Sequence, residues 1–339
     1  MLCVSLGVSA RADDLNARAA QVKEQLQTTL LPALAQTPTA NKSAESLAAL
    51  LQTLSRAHRL GYSTPEHNYL DAARVQYQFL RSAREDKTSG GFYDDASGKN
   101  PALAKSSQTQ AQVVSALVEY AHASGQSEPR ALAIKTWRLL RDRARDKTNG
   151  GYYDFFLSGA LSPTQLSGSG LKSAQTHLRL LEAGTALFAF TRDRSIRRDL
   201  EELLDLNEGR FFPTDRPDPI SSYAPDWKIT TLNLLVPIGG SLSESARAGV
   251  AIACAQDALG LPVRWIDFVR RVDDVNQSAP LALAPSALPA LSLLARNIPN
   301  SREHRAAQID ELLKDSQRIS ATSSDFLDFV AAFDAPSSP

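Results

Sequence analysis

The chain has 339 residues, of which 43% are hydrophobic, enough for a large buried core. Its 37 basic and 37 acidic residues cancel, so neither a nucleic-acid partner nor an anionic membrane surface is expected. Only two cysteines are present, Cys3 and Cys254, which argues against a disulfide framework and excludes a cysteine-based metal site.

The first twelve residues are similar to the end of an export signal. Leu2 begins a short apolar run, and Ala10-Arg-Ala12 has the small-x-small form of a signal-peptidase site. The basic region of a complete signal is missing. Residues 1–12 are therefore interpreted as a truncated signal peptide, which predicts a periplasmic or extracellular protein. The alternative is a frayed apolar N-terminus on a cytoplasmic protein.

Helices are predicted almost throughout 13–334, which we interpret as one domain, with 335–339 as a loose tail. Apolar residues recur at spacings of three and four. Ser63-Thr-Pro65 and Ser127-Glu-Pro129 have the form of helix starts, and Gly125 and Gly260 stand where helices should end. The predicted helices are 14–36, 43–60, 65–84, 105–124, 128–144, 172–191, 193–206, 243–259, 262–274, 282–297, 301–317 and 323–334. Twelve helices in consecutive pairs favour a ring or a solenoid of helical hairpins.

One segment of the chain occurs twice. Asp86-Lys-Thr-Ser-Gly-Gly-Phe-Tyr-Asp94 returns as Asp146-Lys-Thr-Asn-Gly-Gly-Tyr-Tyr-Asp154, and each copy is followed by a second shared element. That element is Lys105-Ser-Ser-Gln-Thr-Gln110 in the first copy and Lys172-Ser-Ala-Gln-Thr-His177 in the second. A double match in the same order indicates a repeated structural unit. The glycine pairs indicate turns between helices, and the residues beside them are the best candidates for short strands.

Polar side chains recur at the starts of the two helices that follow these turns. Gln108 and Gln112 are four residues apart, as are Gln175 and Arg179, so each pair lies on one helical face. In a ring, such groups would converge on the central axis and could bind a ligand. Alternatively, they cap helices and satisfy loop carbonyls.

Glu182 lies within an apolar stretch of the second of these helices. A carboxylate buried there needs a partner, and Arg179 stands three residues away.

The stretch 207–242 differs from the rest of the chain. Five prolines and a glycine pair exclude a continuous helix. Its aromatic residues, among them Tyr223 and Trp227, predict an ordered flap.

The segment Lys172-Ser-Ala-Gln-Thr-His-Leu-Arg-Leu-Leu-Glu-Ala-Gly-Thr-Ala-Leu-Phe188 resembles the signature helix of the N-acylglucosamine 2-epimerase and cellobiose 2-epimerase family, whose usual form is N-T-H-L-H-x-L-E-A-Y-T. The segment from Ala57 to Tyr93 also fits, and the resemblance covers about 15–206. It implies an all-α fold, the (α/α)6 toroid of six helical hairpins. It also implies that the protein interconverts sugar epimers, or aldose and ketose forms, by histidine-mediated proton transfer without a metal or cofactor.

The chain departs from this family pattern at several positions. Gln175 replaces the family's asparagine, Arg179 replaces its second histidine, and Ala49 stands where an arginine is expected. No histidine occurs between His177 and His304. By resemblance, His177 is therefore the one predicted catalytic residue. The predicted sugar-binding residues are Gln175, Arg179, Lys172, Gln108, Gln112, Tyr93, Tyr153 and Trp227.

Epimerisation beside a carbonyl needs one group to remove a proton and another to return it on the opposite face. Either other groups have taken the second role, or the chemistry has been lost; the candidates are Lys172, Glu182, Asp226, Glu244 and Tyr153. The first hypothesis is therefore a sugar 2-epimerase or isomerase acting on a mono- or disaccharide. The second is an inactive member that binds a carbohydrate or a protein. The third is a glycosidase or lyase using Asp226 and Glu244. The sequence does not predict the oligomeric state.

Overall fold

The computed structural model describes residues 20, 22–37, 42–94, 104–157, 170–214, 220–230 and 242–264. The predicted signal peptide 1–12, the tail 335–339 and the predicted helices 282–297, 301–317 and 323–334 lie outside these ranges, as does most of 262–274.

Contacts between Cα atoms divide the chain into two compact units. One comprises Met1–Ala35, Ser241–Val250 and Trp265–Pro339, and the other comprises Gln36–Gly240 and Ala251–Arg264. The single domain over 13–334 stays a prediction.

Helices dominate the described residues. In the first unit, a π-helical turn over Leu26–Leu30 precedes helix α1 (Leu31–Ala35). The second unit contains α2 (Ala44–Arg59), α3 (Tyr69–Phe79), α4 (Ser107–Ser124), α5 (Ser127–Arg143), α6 (Ala174–Thr191) and α7 (Arg194–Leu206). Helix α8 (Leu242–Leu259) has residues in both units.

The six helices of the second unit form two rows. Helix α4 packs between α2 and α6, and these three make the inner row. Each inner helix packs against the helix that follows it, so α3, α5 and α7 make the outer row. This arrangement confirms the prediction of consecutive helical hairpins.

Several helix boundaries differ from the predicted ones. Helix α3 begins after Asn68, whose Oδ1 accepts hydrogen bonds from the amides of Leu70 and Asp71, and not at the predicted Ser63-Thr-Pro65 cap. Ser127 is the first residue of α5 and not its cap. Gly125 and Gly260 end their helices as predicted, both with positive φ.

Four short strands form two antiparallel pairs. Strand β1 (Ala104–Ser106) pairs with β2 (Phe155–Leu157), and β3 (Lys172–Ser173) pairs with β4 (Ser222–Tyr223). The helices predicted to start at 105 and 172 therefore begin two residues later. The reason is that Ser106 and Ser173 are extended N-caps, whose hydroxyls accept amide hydrogen bonds from the first helical turn.

The repeated segments form two equivalent loops, loop 1 (85–94) and loop 2 (145–154). Each is closed by an antiparallel bridge between its ends. The Ala44 amide at the start of α2 donates to the Asp94 carbonyl, and the Ser107 amide at the start of α4 donates to the Asp154 carbonyl, at 3.0 and 2.8 Å. Each loop therefore completes the first turn of the inner helix that precedes it in the chain.

Trp137 on α5 is a large buried side chain at the contact between rows. Its Nε1 donates to Asp199 Oδ2 of α7 at 2.9 Å, and its ring edge lies against Gly184 of α6. A Cβ at position 184 would stand 2.9 Å from Trp137 Cη2, closer than ordinary carbon contacts. A glycine in this helix therefore makes room for the indole.

Gly184→Ala is expected to lower the free energy of unfolding by about 1–3 kcal/mol, because overpacking outweighs the better helix propensity of alanine. Urea unfolding measures this change. Gly209→Ala is the matched control, since a Cβ there would meet no atom within 4 Å apart from its chain neighbours and its own helical backbone. Equal stability of the two variants would contradict the packing argument.

Candidate functional site

A buried lysine fixes loop 1. Lys105 Nζ donates to Asp86 Oδ2 at 2.7 Å and to the Gly90 carbonyl at 2.5 Å. The other carboxylate oxygen, Asp86 Oδ1, accepts the amides of Thr88 and Ser89. Both charged side chains are almost fully buried. The pair ties the start of α4 to the turn in front of it.

Loop 2 repeats this arrangement with one additional bond. Lys172 Nζ donates to Asp146 Oδ2 at 2.8 Å, to the Gly150 carbonyl at 2.7 Å and to the Pro225 carbonyl at 2.7 Å. An ammonium group has three hydrogens, and all three are used. The Lys172 ammonium thus has no N–H left to donate to a sugar in this structure. Its contacts fit the alternative interpretation, in which Lys172 satisfies loop carbonyls.

The charge of Asp146 depends on this lysine. Burial raises the pKa of the Asp146 carboxyl. The hydrogen bonds from Lys172 and from the amides of Asn149 and Thr148 more than offset that effect, so its pKa lies well below the usual range. The balance is the same in loop 1, where the pKa of Asp86 is also lowered. Both aspartates are therefore ionised at neutral pH.

Gln110 and His177 occupy equivalent positions in the two copies. Gln110 Oε1 accepts the Phe92 amide at 2.8 Å, and its Nε2 donates to the Phe92 carbonyl at 2.9 Å. His177 Nε2 accepts the Tyr152 amide at 3.0 Å, and its Nδ1 lies 2.8 Å from the Ser173 carbonyl. Because an amide only donates and a carbonyl only accepts, the imidazole is neutral with its proton on Nδ1.

The surroundings of His177 keep it neutral. Its side chain is fully buried, and its ring packs against Phe211 with centroids 4.6 Å apart. Burial, with a smaller contribution from the Lys172 ammonium, lowers the pKa of His177 to about 4, although the hydrogen bond to Ser173 opposes the shift. Both ring nitrogens are engaged by the backbone. The predicted catalytic role of His177 stays a prediction, and this geometry does not favour it.

Helix geometry places His177 away from its predicted partners. Two residues along a helix correspond to a rotation of about 200°, so His177 points away from the face that carries Gln175 and Arg179. Gln110 is related in the same way to Gln108 and Gln112. The structure therefore separates the predicted site residues into a set that contacts the two loops and a second set on the other side of α4 and α6.

The second set lies on neighbouring inner helices. Gln108 Nε2 of α4 donates to Glu45 Oε1 of α2 at 3.4 Å, and Gln112 Nε2 donates to Gln52 Oε1 of α2 at 2.7 Å. Glu45 and Gln52 were not among the residues predicted from the sequence. Their spacing of seven, two helical turns, was the available indication that they share a face.

Helix α6 continues this surface with Gln175, Arg179 and Glu182. Gln175 is exposed, and the side chains of Arg179 and Glu182 are 25% and 27% exposed. Arg179 Nη1 lies 3.5 Å from Glu182 Oε2, which confirms that the two residues are partners, although Glu182 is not fully buried. We call the seven residues Glu45, Gln52, Gln108, Gln112, Gln175, Arg179 and Glu182 the polar face.

The two repeated tyrosines pack against the buried lysines. Lys105 Nζ lies 5.3 Å from the ring centroid of Tyr93, and Lys172 Nζ lies 5.6 Å from that of Tyr153. Tyr93 is half-buried, whereas Tyr153 is 7% exposed. Stacking of these rings on a sugar stays a prediction, and the low exposure of Tyr153 does not favour it.

The side chain of Trp227, which comes from a later segment of the chain, packs against loop 2. Its Nε1 donates to the Asn149 carbonyl at 2.7 Å, while Lys172 Nζ and Arg210 Cζ lie 4.3 and 4.5 Å from its ring. A Cβ at Gly151 would stand 2.7 Å from the indole, so only glycine permits this close approach. Trp227 therefore packs on the loop while remaining half-buried, and a contact with sugar stays a prediction for it too.

A known protein family matches the part of the chain that carries this site. The model of the N-acylglucosamine 2-epimerase (GlcNAc 2-epimerase) family matches residues 43–231, more than half of the chain. The chain belongs to this family. The matched range contains α2 to α7, both loops and the whole polar face.

Relatives of this N-acylglucosamine 2-epimerase family member support the assignment. A cellobiose 2-epimerase from Dictyoglomus turgidum is 29% identical over 162 residues, which are 45% of this chain and 41% of that protein. The chain thus matches less than half of that relative's length.

Two solved structures show the fold of this family member. Cellobiose 2-epimerase from Spirochaeta thermophila has a TM-score of 0.79 at 20% identity, covering 95% of this chain and 98% of that one. Cellobiose 2-epimerase from Bacillus thermoamylovorans has a TM-score of 0.74 at 16% identity, covering 93% and 99%. These likenesses confirm the predicted all-α (α/α)6 toroid.

Two further properties of this family member concern the residues that the structure describes. No group of three or more histidine, cysteine, aspartate or glutamate side chains in the described ranges could hold a metal ion. None of the helices described is long and apolar enough to span a bilayer.

Proposed function

We propose that this member of the N-acylglucosamine 2-epimerase family binds a mono- or disaccharide on its polar face and acts on it as a sugar epimerase or isomerase. The observation that carries the proposal is the alignment of four amides, two carboxylates and a guanidinium on three adjacent helices. Sugar hydroxyls both donate and accept hydrogen bonds, and amide side chains offer both functions on one group.

The charges on the polar face are balanced, which suits the binding of an uncharged sugar. Arg179 is paired with Glu182, and Gln108 contacts Glu45, so no large field of one sign develops there. Recognition would then depend on many hydrogen bonds of modest strength, each contributing about 1 kcal/mol.

Loss of one amide from the polar face is expected to weaken binding about fivefold, which corresponds to one hydrogen bond of about 1 kcal/mol. Calorimetric titration of Gln108→Ala and Gln175→Ala with the best-binding sugar would measure this loss, since both side chains are accessible. Gln78→Ala, an exposed glutamine of outer helix α3, is the matched control and should bind as the unaltered protein does. Equal affinities in all three variants would remove the polar face from the proposal.

Turnover is tested separately. The purified protein is incubated in heavy water with aldohexoses, N-acetylhexosamines and β-1,4-disaccharides, and NMR follows deuterium at the second carbon. We expect exchange with at least one sugar. If no sugar shows exchange, the enzymatic part of the proposal fails.

The second candidate is an inactive saccharide-binding member of the family. One observation favours it: His177 is fully buried and both of its nitrogens bind the backbone. Saturable binding of a sugar without any exchange would support this candidate over the first.

A further inference from the structure

The outer helix α7 carries its exposed charges in an order that opposes its helix dipole. Three arginines are followed by two acidic residues: Arg194, Arg197, Arg198, Glu201 and Asp205. Acidic side chains are favoured near the N-terminus of a helix and basic ones near its C-terminus, yet the first turn of α7 has no acidic residue and its last turn no basic one. The stability of the helix alone therefore does not account for this order of charges.

These five residues lie together on the side of α7 that faces solvent. The opposite side is buried and mostly apolar, with Ile196, Leu200, Leu203 and Leu204. The exposed residues follow one another at spacings of three and four, so they share one face, which we call the outer face.

Most of the outer face is free of contacts within the chain. The side chains of Arg194, Arg198 and Asp205 have no hydrogen bond or ion pair in the part of the chain that the structure describes. Glu201 accepts a contact of 2.9 Å from Arg197 through Oε1. Because a carboxylate accepts hydrogen bonds on both oxygens, Glu201 Oε2 can still accept one. The outer face can therefore contact charged groups of another molecule.

The charges of the outer face reverse their sign about a point between residues 199 and 200. Arg198 and Glu201 lie equally far from that point along the chain, and so do Arg194 and Asp205. In two copies of α7 that lie antiparallel across a two-fold axis through this point, Arg198 stands level with Glu201 of the partner subunit. Arg194 likewise stands level with Asp205 of the partner subunit, and the symmetry repeats both contacts.

The pattern also selects this register over neighbouring ones. An axis at Glu201 would bring two copies of that carboxylate together, and an axis between Arg197 and Arg198 would bring arginines against arginines. Like charges placed opposite each other destabilise a contact. The outer face is thus complementary in charge to its own copy in one antiparallel arrangement.

We propose that the outer face binds a second copy of this chain, in a two-fold symmetric dimer whose two α7 helices lie antiparallel. The proposal is independent of the proposed sugar chemistry. The chain has a formal net charge of zero, so two copies do not repel each other at long range and the local pattern can determine how they meet.

The dimer should be weak and sensitive to salt. Helix α7 has 13 residues and is therefore about 20 Å long. A contact along one such helix is smaller than the standard interface of about 1,600 Å², so we expect a Kd of about 10⁻⁵ to 10⁻⁴ M at low salt. Salt screens exposed charges, and the Kd should rise at least about tenfold between about 0.01 and 0.3 M salt.

Sedimentation of the full chain over a concentration series measures this association. Arg198→Glu should raise the Kd at least about tenfold, because an attraction becomes a repulsion at two symmetric contacts. Adding Glu201→Arg to this variant exchanges the two charges and should restore the Kd to within about threefold. Arg74→Glu is the matched control. Arg74 is an exposed arginine of outer helix α3, and its reversal changes the net charge equally but should leave the Kd within about twofold.

Four results would overturn the proposal. The first is a monomer at about 3 × 10⁻⁴ M protein in low salt. The second is an association that salt does not weaken, and the third is a dimer that forms equally well in Arg198→Glu. The fourth is a failure of the exchanged pair to restore association while circular dichroism shows an intact fold. Each of these results leaves the sugar-binding test on the polar face unaffected.

Discussion

Replacing Lys172 by methionine is expected to lower the free energy of unfolding by about 3–5 kcal/mol, the range measured when one partner of a buried ion pair is removed. The Asp146 carboxylate would remain buried without its cation, and the carbonyls of Gly150 and Pro225 would lose their donor. Chemical unfolding of the variant at neutral pH measures the effect.

The equivalent lysine of loop 1 supplies a comparison for this prediction. Lys105→Met should cost less, because Lys105 donates to two acceptors and Lys172 to three. Lys147→Met is the surface control, since Lys147 is exposed, and should change stability by less than about 0.5 kcal/mol. If the Lys172 and Lys147 variants were equally stable, the buried pair would not hold loop 2.

His177→Gln is expected to keep the fold. Any sugar turnover should also stay within about tenfold of the rate of the unaltered protein. The reason lies in loop 1, where Gln110 occupies the equivalent position and its Oε1 accepts the loop amide. A histidine that moved the substrate proton would instead give a loss of about 10²- to 10⁴-fold. The same NMR assay for deuterium exchange distinguishes the two results.

The same substitution should remove part of the acid sensitivity of the protein. The pKa of His177 is about 4 in the folded chain and about 6.5 in an unfolded one, so between these values the unfolded chain binds a proton that the folded chain does not. This contribution to stability is complete above about pH 6.5 and is lost as the pH falls towards 4, by roughly 3 kcal/mol in all.

Urea unfolding at pH 7 and at pH 4.5 measures this acid sensitivity. The difference between the two pH values should be smaller in His177→Gln than in the unaltered protein. An unchanged pH dependence in His177→Gln would contradict the buried neutral imidazole.

The helical fold could be predicted from the sequence because its information is local. Apolar spacing gave the helices, and the doubled Gly-Gly segment gave the repeat. The helix starts at Ser107 and Ala174 were harder to predict. The short strands before these helices pair with Phe156 and Tyr223, which are distant in sequence. A short strand that exists because of a remote partner leaves little trace in its own residues.

Only part of the candidate site was predicted correctly from the sequence. The predicted and observed positions differ because successive residues of a helix point in different directions. Gln175 and Arg179 do share a face with Glu182, as spacings of four and three residues indicate. His177 stands two residues from each of the first two, a spacing that turns it to the opposite side. The residue that carried the family resemblance most visibly is thus in contact with the loop backbone. The third acceptor of Lys172, the Pro225 carbonyl, comes from an irregular segment that no periodicity describes.

The dependence of each inner helix on a later loop has a consequence for synthesis of the chain. The first amide of α2 is satisfied by Asp94, that of α4 by Asp154 and that of α6 by Ser221. During translation, a newly made inner helix therefore keeps an unfinished end until the loop that follows its outer helix has emerged from the ribosome. Hairpins would accordingly become stable one after another from the N-terminal side, and a chain that ends before such a loop would carry one inner helix with an unsatisfied first amide.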